Sequence, residues 1–146
     1  MTMKLSLIFF TLLFSTAVSA QQELSGNWEG FYSGSTNAIG AINININSSG
    51  CFVEMEDISN VTKLPFPCES LRLINGIFSF TTRRSFSEGK DWVETRYQLA
   101  LLPHFADNKV PRTLIGTWLQ GMVKVGQTNF VALNSGTLKV KERLAD

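Results

Sequence analysis

Residues able to do chemistry are sparse in this chain. His104 is the sole histidine, and Asp107 stands three residues beyond it. A metal site would need two or three further ligands of that quality, and no second His or nearby Cys supplies them. Cys51 and Cys68 are the only cysteines and do not form a Cys-x-x-Cys motif. With both assigned to a disulfide and no Gly-x-Ser-x-Gly present, a nucleophile with an adjacent base cannot be assembled. Glu54, Glu56 and Asp57 lie close together, but Glu54 and Glu56 share the outer face of a strand and read as solvated. Arg83-Arg84 ends a strand and can meet Glu88 or Glu94 across the next hairpin. The expectation is a protein that is not an enzyme and holds neither metal nor cofactor.

Lys4 precedes a run rich in Leu, Ile and Phe from Leu5 to Phe14, and Val18-Ser19-Ala20 follows it. That pattern predicts a secretory signal over residues 1–20, too short to cross a bilayer, and one domain over 21–146. Removing Lys4 from the 13 basic residues leaves 12 against 12 acidic ones. Balanced charge gives no pull toward nucleic acid or an anionic membrane surface, so neither is expected as a partner. The mature part has no second apolar segment, and membrane insertion is not expected. In the oxidising compartment this implies, periplasmic or extracellular, Cys51 and Cys68 are expected to form one structural disulfide.

The elements that must position these residues read as strands. Ile42, Ile44 and Ile46 alternate with Asn43, Asn45 and Asn47, the period of a strand with one buried face. Gly26, Trp28, Gly30 and Tyr32 share one face of an earlier strand; Cys51, Val53 and Met55 share one face of a later one. Leu71 and Leu73 flank Arg72, and Asn75-Gly76 then predicts a tight hairpin into a strand over 77–82 with Phe78 and Phe80 on one side. Val93, Thr95, Tyr97, Leu99 and Leu101 share a face opposite Trp92, Glu94, Arg96 and Gln98. Pro103 and Pro111 bracket the longest loop. Leu114 to Trp118 make a seventh strand, Phe130 and Ala132 an eighth, and Leu138 and Val140 a short closing segment. No sustained 3.6-residue period appears, and short strands joined by Gly, Asn and Ser turns indicate an antiparallel barrel or sandwich. Asn47-Ser48-Ser49 and Asn60-Val61-Thr62 fit the glycosylation pattern but arise readily in an Asn-rich chain.

Two motifs then coincide. Gly26-Asn27-Trp28-Glu29-Gly30 opens the first strand, and Gly116-Thr117-Trp118-Leu119-Gln120-Gly121 lies near the end, followed by Phe130-Val131-Ala132-Leu133. From Leu24 to Val140 the chain resembles a lipocalin-like, or calycin-type, β-barrel, in particular the small barrel domains found ahead of hydrolase domains in some secreted bacterial proteins. The resemblance implies an all-β, antiparallel, eight-stranded up-and-down barrel. It also implies that Trp28 is structural, packing across the closed end beneath a basic residue of the last strand, with Lys139, Lys141 and Arg143 as candidates. No hydrolase domain follows the barrel in this chain, so no catalytic activity carries over. Avidin-type barrels are similar in outline, but their polar ligand ring has no residue-by-residue match here, and biotin binding is not expected.

Aromatic residues make up 11% of the chain, and most must lie in the core. An eight-stranded barrel either fills with side chains or holds one small ligand, and the sequence leaves both outcomes open. Two functions follow. In the first, a small apolar or amphipathic ligand enters the barrel mouth, lined by Met55, Phe78, Phe80, Tyr97 and Trp118, with Arg96 as a polar anchor should its strand have the opposite parity. In the second, an envelope inhibitor or accessory factor grips a partner protein through two loops. Loop 61–67 carries Leu64 and Phe66, and loop 103–111 carries His104 and Phe105.

Overall fold

The computed structural model describes residues 23–36, 39–55, 65–86, 88–103 and 110–144. The segment 1–20 lies outside them, as do Leu64, His104 and Phe105. Nine strands form one sheet: β1 (Gly26–Gly34), β2 (Ile39–Asn47), β3 (Gly50–Met55), β4 (Phe66–Pro67), β5 (Glu69–Ile74), β6 (Ile77–Phe86), β7 (Asp91–Leu101), β8 (Thr113–Lys124) and β9 (Phe130–Glu142). The order around the sheet is β4-β3-β2-β1-β9-β8-β7-β6-β5. Every pairing is antiparallel, and the first strand pairs with the last from Trp28↔Glu142 to Gly34↔Gly136. This is an all-β, up-and-down, nearly closed barrel.

The ninth strand has a simple origin. β4 and β5 are one run of chain interrupted at Cys68; its first part bonds to β3 and its second part to β6. One broken strand thus spans the gap that would otherwise separate the two halves of the sheet. The break is marked by Ser70 in the left-handed region (φ 54°) and by a register shift between Glu69 and Arg72. Cys51 and Cys68 are joined by a disulfide, with Cα atoms 5.2 Å apart, and the Cys68 N–H also donates to the Cys51 carbonyl (2.8 Å). A bond of this kind is more typical of extracellular or periplasmic proteins than of cytosolic ones.

Alternation decides what each strand buries. Trp28 and Tyr32 on β1, Ile42, Ile44 and Ile46 on β2, Val53, Phe78, Phe80, Tyr97, Leu99, Leu114, Trp118, Leu138 and Val140 are all buried in a single core. Each large apolar side chain so placed contributes about 1.5–3 kcal/mol relative to exposure. The Asn75-Gly76 hairpin is as the sequence implies, both residues having positive φ (53° and 76°), the geometry that a two-residue primed turn requires. Close approach of backbones explains Gly136: a Cβ there would stand 1.7 Å from the Ser33 carbonyl oxygen and 2.8 Å from the Trp118 ring nitrogen. Its absence lets Trp118 Nε1 donate to that carbonyl (3.2 Å).

One expectation about the last strands is corrected. The eighth strand and the closing segment are a single strand, β9, carrying a register shift opposite Gln120 and Gly121. The extra residue turns Phe130 to the outer surface, so the inward alternation of Leu138 and Val140 does not extend to the strand's start.

Candidate functional site

The barrel has two unlike ends. At the end where β1 begins and β9 finishes, Leu24 and Trp28 plug the cylinder, and Trp28 Nε1 donates to the Leu24 carbonyl (3.0 Å). Arg112 lies over the indole, its guanidinium carbon 5.0 Å from the ring centroid. Two of its nitrogens grip Glu142 (2.7 and 2.6 Å), and the same guanidinium donates to the Glu23 and Ser25 carbonyls (2.6 and 3.0 Å). The Glu142 hydrogen bonds hold the Arg112 pKa above its usual value, against burial, which would lower it. Trp28 is fully buried at this end, and the cation that covers it comes from the stretch before β8 and not from the last strand. Lys139 and Lys141 are exposed, and Arg143 reaches outward to Glu29 (3.0 Å). Four directed N–H bonds from one planar cation make this seal, a geometry that lysine cannot supply.

The expected mouth residues come together inside the barrel, although Phe78, the second residue of β6, stands toward the plugged end, where β6 begins. Phe80 stacks on Tyr97 with centroids 4.6 Å apart, Phe78 lies 5.1 Å from Phe80, and Trp118 meets Tyr32 edge-on at 5.9 Å. The Tyr97 hydroxyl donates to Met55 Sδ (3.2 Å), joining β7 to β3 across the interior. Burial pushes the Tyr97 phenol up to about 12, although hydrogen bonds with Thr82 and Thr95 pull it back. All five residues face inward and pack against one another or the surrounding core.

Above them stands a polar collar that the sequence reading passed over. Thr82, Thr95, Gln120 and Asn134 are successive cross-strand partners on β6, β7, β8 and β9. Thr82 and Thr95 are buried, and Gln120 Nε2 lies 3.3 Å from Thr95 Oγ1. Asn134 ties the collar to the rim, donating to Thr36 Oγ1 (3.0 Å) and accepting from Ser35 Oγ (2.7 Å). The available signal was the threonine parity in β6 and β7: Thr82 and Thr95 sit on the same faces as Phe80 and Tyr97.

Other expected site residues are placed differently. Phe66 is on β4, half-buried opposite Val53, so it packs along the wall of the barrel and is not an exposed loop anchor. Arg96 has the parity first assumed and points outward. There it donates to Glu94 (2.7 Å) and lies 4.0 Å over the Phe130 ring. Arg83 grips the other Glu94 oxygen (2.9 Å) and also reaches Glu69 (3.3 Å). Glu94 is thus only 4% exposed although it sits on the outer face. Burial alone would raise its pKa; the hydrogen bonds and charges of Arg96 and Arg83 override that and hold the carboxyl below its usual range.

Among the described residues no group of three or more His, Cys, Asp or Glu side chains is placed to hold a metal ion, and no helix is long and apolar enough to cross a membrane. No protein-family model, curated protein or solved structure matches the chain.

Proposed function

We propose that this chain is an exported, lipocalin-like barrel that binds a small amphipathic ligand in its mouth and carries out no catalysis. The observation supporting this reading is the difference between the ends: one is plugged by Trp28 and Arg112, while the other sets hydroxyl and amide groups above stacked aromatic rings. An aromatic floor accepts the apolar part of a ligand, and a few convergent polar groups orient its head, the usual division of labour in small-molecule sites. Met55, Phe78, Phe80, Tyr97 and Trp118 form the floor in this proposal. Thr82, Thr95 and Gln120 form the collar. The packed rings give way to the ligand by side-chain rotation, for which Met55 is the most adaptable member. Export to the periplasm or the exterior, with loss of residues 1–20, fits the disulfide.

The test is native mass spectrometry of the protein purified from its own envelope, followed by binding measurements on the captured compound. Phe80→Ala and Tyr97→Ala should weaken that binding, while Phe66→Ala and Phe105→Ala leave it unchanged. The reverse order, with a protein captured in place of a small molecule, would establish the accessory-factor reading instead.

A further inference from the structure

A second set of polar groups converges on the outer surface of β1, β2 and β3, remote from the mouth. Two cross-strand rows lie side by side there: Glu29, Asn43 and Glu54 in one, Asn27, Asn45 and Phe52 in the other. Arg143, anchored by its N–H to the Asn27 carbonyl (2.7 Å), folds over the first row onto Glu29. Together they bound a groove of ≈ 240 Å³. Drug-sized ligands occupy sites of roughly 300–1,000 Å³, so the groove suits one small polar unit.

Its chemistry narrows the occupant. The asparagines form a ladder: Asn45 donates to Asn27, Asn47 to Asn45 (2.6 Å), and the Ser49 N–H to Asn47 (2.8 Å). These bonds fix the amide orientations before any ligand arrives, which lowers the ordering cost of binding. Asn43 and Glu54, by contrast, hold no side-chain hydrogen bond or ion pair among the described residues. One offers a donor and an acceptor, the other acceptors only. Half-buried Phe52 adds an apolar plane beside them. Glu29 is paired with Arg143 and has Lys141 directly opposite on β9, which leaves Glu54 as the lining carboxylate that no cation takes up among the described residues. An anion would meet Glu54 and a cation would meet Arg143. A neutral ring with several hydroxyls, each able to donate and accept, satisfies amide, carboxylate and guanidinium together while its C–H face rests on Phe52.

We infer that the outer face of β1–β3 is a binding site for a neutral saccharide unit, independent of the ligand proposed for the mouth. The test is a ¹H–¹⁵N NMR titration of the disulfide-intact protein with glucose, galactose and N-acetylglucosamine, and with sulfate and methylammonium as charged comparators. At least one sugar should shift the Asn27, Asn43 and Asn45 side-chain amides saturably. Asn43→Ala and Glu54→Gln should each weaken that sugar about three- to tenfold, the effect of one lost hydrogen bond, without moving the unfolding midpoint. Glu54→Gln keeps the side-chain shape, so it reads binding even if Asn43→Ala perturbs the strand. Absence of saturable shifts with all three sugars, equal or larger shifts with either charged probe, or shifts confined to Thr82, Thr95 and Gln120 would overturn the assignment.

Discussion

The plugged end and the mouth use the same strands to opposite purposes. At the plug, an indole, a guanidinium and a carboxylate satisfy one another within a few ångströms, and Arg112 also takes up two backbone carbonyls. At the mouth the polar groups are neutral hydroxyls and amides, joined to one another by hydrogen bonds of 2.7–3.3 Å. A charged, many-bonded cluster is costly to open, whereas neutral single bonds can be exchanged one at a time for those of a ligand. The comparison teaches that stability is concentrated at one end of this barrel and adaptability at the other.

The largest effect should come from the plug itself. Trp28→Ala is expected to cost about 3–5 kcal/mol, as other large-to-small aromatic core changes do, read as a fall in the guanidinium chloride midpoint. If that variant were fully stable while a mouth variant such as Phe80→Ala unfolded, the contrast between the ends would be inverted. Arg112→Met comes next, at about 1.5–3 kcal/mol, because it strips a partly buried carboxylate of its charged partner. Arg112→Lys should recover only part of the loss, since an ammonium cannot grip Glu142 and the two carbonyls in one plane.

Acid should act on the outer face of the barrel. The Glu94 pKa is depressed in the folded state, so its contribution is complete above the unfolded carboxylate value of about 4.3 and is lost as pH falls through the lower folded value. A thermal-melt series should therefore show a drop below about pH 4 that Glu94→Gln flattens. A series that Glu94→Gln leaves unaltered would remove Glu94 from the acid response. The last effect is alkaline. Tyr97 has its pKa raised from 10.0 to about 12, so the stabilisation it confers is complete below pH 10 and fades as pH rises toward 12. Absorbance titration of the folded protein should show Tyr97 ionising last, and Tyr97→Phe should remove that late step.

How much of this was readable beforehand follows from the range of each interaction. The alternation of Ile42, Ile44 and Ile46 and the Asn75-Gly76 turn are local signals, and each gave its strand and its buried face. The Arg83–Glu94 pair was also foreseeable, being the direct cross-strand partners of one hairpin. Arg112 was not, because it stands in a proline-flanked stretch with no strand period and meets Glu142 30 residues away. β4 is two residues long, too short to carry any period, so the broken strand at Cys68 left no trace in the pattern. The register shift opposite Gln120 and Gly121 likewise hid the continuity of β9, since an inserted residue inverts the parity on which the reading depends. For the site, the aromatic floor is visible as inward positions, while the collar residues Thr82, Thr95, Gln120 and Asn134 carry no local pattern that sets them apart, because only cross-strand register brings them together.

The pairing of the first strand with the last also sets a timetable. Ser33 and Thr137, whose hydroxyls lie 3.0 Å apart on β1 and β9, are separated by 104 residues. A polypeptide emerging N-terminus first at about 5–20 residues per second exposes β1 for roughly 5–20 s before its partner exists. During that interval the hairpins from β1 to β3 and from β6 to β8 can form, but the cylinder cannot close. Closure is a late event that waits for the final strand, and a chain shortened before Leu138 and Val140 would leave the β1 edge permanently open to pairing with other chains.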